Sequence, residues 1–159
     1  MEELAGLLDR YGSSFAVQIV VAVLCGSVIG IERQLRGKAI GIRTSVLICL
    51  ATEEFVRLGL VLGNSGADPT RVLGQVVTGV GFLGAGVIVA RGGSVTGVTS
   101  AAVVWMLAAI GSTIGAGRSA DALVLSLVTV GVLIGIRLLE KAFKRLRGSY
   151  DEPQDTNSP

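Results

Sequence analysis

The chain has 159 residues, of which 50% are hydrophobic and 16% are charged, and its mean hydropathy is +0.69. This balance excludes a soluble domain with a large core and predicts an integral membrane protein. A net charge of +2 is too small to indicate a nucleic-acid partner, so none is expected. The lack of histidine excludes imidazole catalysis and a histidine pH switch.

The first predicted membrane helix spans residues 11–31, an uncharged run that is long enough to cross a bilayer. It follows a short charged lead-in at residues 1–10. Ala22, Gly26 and Gly30 recur at steps of four, and small residues at this spacing let helices approach closely inside a membrane. We therefore expect Gly26 and Gly30 to pack this helix on the glycine-rich third helix.

The second predicted helix, residues 42–62, carries Glu53, Glu54 and Arg57 near its midpoint. A charge at the bilayer centre costs roughly 2.5–3.5 kcal/mol on insertion scales, and it marks an ion pathway or a buried pair. Arg57 lies one helical turn after both carboxylates and can neutralise one of them. The other is a candidate proton acceptor or a ligand for Mg²⁺, which prefers oxygen. The alternative is that this helix is re-entrant or shallow, so that its carboxylates lie in an aqueous crevice and have no function.

The third predicted helix, residues 72–90, contains no charged residue and is rich in glycine. Helical periodicity places Gly74 and Gly81 on one face and Gly79 and Gly86 on another. Small residues on two faces predict that this helix lies between two neighbouring helices, at the centre of the bundle. With Gly84 the run also matches the dinucleotide-binding glycine fingerprint. We reject that reading because no acidic residue follows at the required distance and the segment is transmembrane in character.

Two further helices are predicted at residues 99–114 and 122–139, followed by a basic and then disordered tail at residues 141–159. The sequence therefore predicts an all-α membrane domain of about five transmembrane helices at residues 1–140. Basic residues concentrate in the loop after the first helix and in the tail. The positive-inside rule then places the C-terminus in the cytoplasm and the N-terminus outside.

Charged residues also lie at the predicted helix ends. Glu32 ends the first helix, where the helix dipole disfavours an anion, so we expect it to pair with Arg36 or Arg43. This cluster either fixes the topology or forms a polar gate or partner-binding surface. For Asp68 and Arg71 we favour a capping role at the start of the third helix.

Five motifs resemble the MgtC/SapB family in order and spacing: GIERQ at 30–34, GIRT at 41–44, DPxR at 68–71, GVGFLGAGVI at 79–88 and GVTSAAxxW at 97–105. The resemblance covers about residues 16–117. Besides the glycines, the matching signature positions are Glu32, Arg33, Arg43, Thr44, Asp68, Arg71 and Thr99.

The resemblance implies a bacterial inner-membrane protein linked to growth in low Mg²⁺ and, in pathogens, to survival inside host cells. Members of the family are thought to act on membrane energetics, including through the proton-translocating ATP synthase, and not to carry Mg²⁺ themselves. Many relatives have a soluble C-terminal domain, for which this sequence has no room. Glu53 and Glu54 depart from the small or apolar residues that we would expect in the second helix.

Two functions from different classes follow. The first is a regulatory membrane module that binds another membrane complex, and the second is a small transporter or channel for Mg²⁺ or protons that uses Glu53 and Glu54. We expect no enzymatic activity, because the sequence has no catalytic triad, metal–thiolate motif or phosphate-binding loop. Mg²⁺ is the one candidate cofactor. The expected partners are membrane lipids, a second copy of the chain in a homodimer, and another membrane complex such as the ATP synthase.

Overall fold

The fold is a helical bundle with one short hairpin, seen in a computed structural model that describes residues 2–63, 68, 70–91 and 94–148. The elements in chain order are α1 (Glu2–Leu35), α2 (Ile42–Leu62), α3 (Thr70–Val87), β1 (Val89–Arg91), β2 (Ser94–Thr96), α4 (Val98–Gly115) and α5 (Ser119–Gly148). The two strands pair antiparallel, with Val89 opposite Thr96. They connect α3 to α4, and β1 replaces the last residues of the third predicted helix, which ends at Val87 and not at residue 90.

By length and composition, four helices are suited to cross a membrane: Ser14–Leu35, Thr70–Val87, Val98–Gly115 and Ser119–Phe143. The helix α2 is not among them because its apolar run is interrupted by Glu53, Glu54 and Arg57. It is nevertheless one unbroken helix of 21 residues, so it does not reverse direction as a re-entrant segment would.

The centre of the bundle is α4, which contacts all four other helices. Its side chains Val104, Leu107, Ile110 and Ile114 are fully buried. A helix that is apolar on every side belongs in the interior, and α4 has no charged residue along its length. The tightest packing is that of α1 on α2 and of α2 on α4.

The glycine-rich helix α3 lies at the edge of the bundle, which corrects the predicted central position. Methyl groups added at Gly74, Gly79, Gly81 or Gly86 would meet no atom of another described element within 4 Å, whereas one added at Gly84 would lie 3.6 Å from the Trp105 ring. One stripe of α3 packs on α4, and its glycine faces point away. The packing role predicted for the other four glycines has no counterpart among the described residues and stays a prediction for contacts with another molecule.

The small residues Gly26 and Gly30 of α1 do pack closely on a neighbouring helix, but that helix is α2 and not α3. A methyl group at Gly26 would lie 2.7 Å from Cα of Val46, and one at Gly30 would lie 2.5 Å from Cα of Ile42. The backbones of α1 and α2 therefore touch, and the two helices run antiparallel. Such close approach is what small residues at steps of four permit.

Two helices extend beyond their predicted limits. The charged lead-in from Glu2 onward is the start of α1, and the basic segment after residue 140 continues α5 to Gly148. The segment predicted to be disordered after Gly148 lies outside the described residues. The division of the chain into a membrane domain and a tail stays a prediction.

Candidate functional site

Near the middle of α2, Arg57 forms a close ion pair with Glu54, and the Glu53 carboxylate lies farther from Arg57. Arg57 donates from Nε and Nη2 to both carboxylate oxygens of Glu54, at 2.7–3.0 Å. The shortest approach of Arg57 to Glu53 is 3.8 Å, from Nε to Oε1. The guanidinium also lies over the Phe15 ring of α1, 4.5 Å from its centroid. Arg57 therefore neutralises Glu54 and holds α2 against α1.

Glu53 is the unusual member of this group, which we call the α2 charge centre (Glu53, Glu54 and Arg57). Its side chain is 0% exposed, and neither carboxylate oxygen has a hydrogen-bond partner among the described residues. By contrast, the side chains of Glu54 and Arg57 are 37% and 29% exposed. Burying an ionised carboxylate without a hydrogen-bond partner costs free energy. We therefore expect a proton or a cation to neutralise Glu53.

The close packing of α2 on α4 explains why Glu53 is enclosed. Gly115 lies against the backbone carbonyl oxygen of Glu53, and Gly111 lies against Thr52 Oγ1 and the carbonyl oxygen of Cys49. The two glycines are four residues apart on one face of α4, so they let the backbone of α2 approach without a gap.

The α2 charge centre offers a proton site more readily than a Mg²⁺ site. Mg²⁺ requires near-octahedral oxygen coordination, whereas Arg57 occupies both oxygens of Glu54 and leaves two oxygens at Glu53. In the described part of the chain, no third Asp, Glu, His or Cys joins them to form a group. The predicted metal role of Glu53 and Glu54 stays a prediction, and one neutralising proton is the simplest ligand.

A second polar cluster joins the end of α1 to the start of α4. Glu32 contacts Arg36 Nε one turn later, and Arg33 Nη1 lies 3.6 Å from Glu32 Oε2. Arg33 Nη2 donates to Ser100 Oγ at 3.3 Å. Both Glu32 and Arg33 are buried, at 7% and 3% exposure. Of the two partners expected for Glu32, the structure therefore shows Arg36.

The remaining signature positions are exposed. Arg43 and Thr44 lie in the first turn of α2 and Thr99 in the first turn of α4, at the same end of the bundle as Arg33. Asp68 and Arg71 lie at the opposite end, beside the start of α3. The structure therefore divides the signature residues between two ends and does not collect them into one site.

Asp68 caps α3, as its position in the sequence predicted. Its carboxylate accepts from the backbone N–H of Thr70 at 2.9 Å and from the Thr70 hydroxyl at 2.8 Å. The hydroxyl and, to a lesser degree, the N–H hold the pKa of the Asp68 carboxyl below its usual range. This cap therefore stabilises the start of α3 fully above the ordinary Asp pKa and is lost as the pH falls through the lowered value.

We expect amide hydrogen exchange at Thr70, corrected for its intrinsic pH dependence, to accelerate as acid protonates Asp68. The reason is that the protonated carboxyl is a weaker acceptor for the Thr70 N–H. Asp68→Asn retains a capping oxygen but cannot titrate, so the pH-dependent step should disappear in that variant. A step that persists in Asp68→Asn would assign the effect to another group.

Two apolar cavities flank α3. The larger, of about 470 Å³, lies between α2 and α3, where Arg71 and Gln75 are its charged and polar borders. The smaller, of about 360 Å³, lies between α3 and α4 beside Trp105 and Arg118. The helix α3 therefore packs on α4 along one stripe and leaves a cavity on each side of that stripe.

Several residues that build these sites were not predicted from the sequence. Gly111, Thr52 and Ser100 are buried at the contacts that enclose Glu53 and hold Arg33. A usable signal exists for Gly111, because it stands four residues before Gly115 in an apolar run. Ser100 stands within the motif at residues 97–105, but its partner Arg33 is 67 residues away and could not be inferred from that motif. Thr52 carries no comparable signal, since its hydroxyl bonds within its own helix.

The comparisons with known proteins agree on one family. The family model described as "MgtC family" matches residues 19–142. The chain is 38% identical over 143 residues to a protein of Escherichia coli (strain K12) named "Putative magnesium transporter YhiD", covering 82% of this chain and 66% of that protein. It is 39% identical over 135 residues to "Protein MgtC" of Brucella abortus (strain 2308), covering 83% of this chain and 56% of that protein.

These matches cover most of this chain but only part of each relative. The chain spans between about half and two thirds of the length of the curated relatives that it matches. No solved structure matches it. The family match covers more than three quarters of the sequence, and it includes the α2 charge centre and both ends of the helical bundle. With its apolar helices, this multi-pass membrane protein is a member of the MgtC family.

Proposed function

We propose that this chain is a protein of the bacterial inner membrane that supports adaptation to low Mg²⁺, and virulence where the bacterium is a pathogen. It acts by regulating membrane energetics or a membrane partner such as the ATP synthase, and it is not an enzyme. The observation that carries the proposal is the family match over residues 19–142. The magnesium link is supported by the printed names of two relatives, MgtC and the putative magnesium transporter YhiD.

The shape of the bundle supports regulation through contact. The outer face of α3 carries uncovered glycines, and beside them Phe82 is 81% exposed. In lipid, small residues on an outer face allow another helix to approach closely. The homodimer and the larger membrane complex expected from the sequence are both suitable occupants of this face.

A photo-crosslinking residue at position 82 tests this proposal in native membranes. A matched control is position 127 on α5, since Leu127 is similarly placed in an apolar helix and is 66% exposed. We expect position 82, and not position 127, to yield a stoichiometric product with a different membrane protein under Mg²⁺ limitation. Recovery of the chain crosslinked only to itself would count against regulation of a separate complex.

The buried carboxylate of Glu53 favours a second candidate function, a small transporter or channel for protons or Mg²⁺. Ionisable side chains buried inside a membrane bundle commonly mark ion pathways. Glu53 is fully buried, and its carboxylate has no hydrogen-bond partner among the described residues. In proteoliposomes, we expect such a protein to give a flux that disappears when Glu53→Gln and Glu54→Gln are combined. A flux no greater than that of empty liposomes would exclude this candidate and leave regulation.

A further inference from the structure

The α2 charge centre does not balance if both carboxylates are ionised. Glu53 and Glu54 together carry two negative charges and Arg57 carries one positive charge, so the ionised group has a net charge of −1. One proton on Glu53 brings the total to zero. Protonation of Glu54 instead would disrupt its bidentate ion pair with Arg57.

Among the described side chains of the helices packed beside α2, one further positive charge lies nearby: Arg71 of α3, an exposed residue that borders the cavity between α2 and α3. On α4, the segment Val98–Gly115 has no charged residue. On α1, Phe15 faces Arg57, and the amide of Gln18 donates to the carbonyl oxygen of Ile114 at 3.1 Å; neither side chain is charged. Among the described side chains, Arg57 is therefore the one cation within 4.0 Å of a Glu53 oxygen, and Glu54 is the acid that competes for it.

Arg57 is within reach of both carboxylates. Its guanidinium is 2.7–3.0 Å from Glu54 and 3.8 Å from Glu53, and both acids lie one turn before it on the same helix. A change of side-chain rotamer is enough to carry the guanidinium from one partner to the other. Glu54 is partly exposed and can be left to water, whereas Glu53 cannot.

We propose that Glu53 is a proton-binding site, and that Arg57 is shared between Glu54 and Glu53 according to whether the proton is present. In the form described here, Glu53 carries the proton and Arg57 pairs with Glu54. When the proton leaves for water, the Glu53 carboxylate draws Arg57 toward itself, and Glu54 becomes solvated. Because Arg57 also lies over Phe15, this exchange alters the contact between α1 and α2.

This inference holds whether the chain regulates a partner or carries an ion, since it concerns equilibrium protonation and needs neither flux nor partner. Infrared spectroscopy of the full chain in nanodiscs measures it through the carbonyl stretch of a protonated carboxyl group. At neutral pH we expect the wild type to show this band and Glu53→Gln to lose it. In Glu54→Gln, Arg57 has Glu53 as its remaining acid partner, so we expect the band to be lost there too.

Glu140→Gln is the matched control, because Glu140 is exposed on α5 and its loss should leave the band unchanged. The glutamine variants preserve side-chain volume, and their elution as folded protein on size exclusion confirms that the bundle is intact. A band that is absent from the wild type, or that persists in Glu53→Gln, would overturn the proton site. Persistence in Glu54→Gln would overturn the exchange of Arg57, and loss of the wild-type band on adding Mg²⁺ would assign the site to the metal.

Discussion

Gly111→Ala is expected to lower the free energy of unfolding by roughly 1–3 kcal/mol, the usual cost of overpacking a close-packed interior. The added methyl group overlaps Thr52 Oγ1 and the carbonyl oxygen of Cys49, and it lies 3.0 Å from Cα of Cys49. Two of these atoms belong to the backbone, so α2 must move away from α4. Heating the detergent-purified protein with a thiol reagent measures the effect, because Cys49 is fully buried until the bundle opens.

Gly81→Ala is the control for this experiment. In the part of the chain that the structure describes, a methyl group at position 81 has no neighbouring atom within 4 Å and meets open space. Alanine is also a better helix former than glycine, by about 1 kcal/mol in an exposed helix interior. We therefore expect the thiol reaction of Gly81→Ala to be unchanged or to shift to higher temperature. Equal destabilisation by both substitutions would contradict the placement of α4 at the centre and α3 at the edge.

The sequence predicts the helices of this chain well because their signals are local. The apolar run of α2 predicted Ile42–Leu62, which is the helix that the structure shows, and α4 begins and ends within one residue of the prediction. The ends of α1 and α5 were misplaced because charged residues can continue a helix beyond its apolar segment. Charge marks the end of the apolar run and not the end of the helix.

The sequence could not show which glycines pack against a neighbour. Periodicity places Gly74 and Gly81 on one face of α3 as firmly as it places Gly111 and Gly115 on one face of α4. The difference between them depends on which helices meet, and that is decided by contacts between residues far apart in sequence. In the structure α2 meets α4, so the α4 pair is buried and the α3 pair is not.

The α2 charge centre shows the same limit. Spacing allows Arg57 to pair with either acid, because Glu54 lies three residues before it and Glu53 lies four residues before it. In the structure, Gly115 of α4 lies against the backbone of α2 at Glu53, whose side chain is fully buried, whereas Glu54 and Arg57 are partly exposed. A charge cluster could be predicted from the sequence, but the identity of the unpaired carboxylate required the packing of a distant helix.

Arg33→Gln is expected to cost roughly 3 kcal/mol, the lower end of the range for removing one member of a buried ion pair. Arg33 is 3% exposed, and its guanidinium lies between the Glu32 carboxylate and the Ser100 hydroxyl. The loss is at the lower end because Arg36 still contacts Glu32. Thermal unfolding of the purified variant measures the change, and the chain should also accumulate less in membranes.

Arg43→Gln is the matched control, since Arg43 is also a family-signature arginine at the same end of the bundle but is exposed. A surface substitution of this kind usually changes stability by at most about 0.5 kcal/mol. If Arg33 acts by joining α1 to α4, its effect must also depend on Ser100. Arg33→Gln and Ser100→Ala should then destabilise together by less than the sum of their separate effects, whereas Arg43→Gln and Ser100→Ala should add. Strict additivity of the first pair would show that Arg33 stabilises the bundle through Glu32 alone.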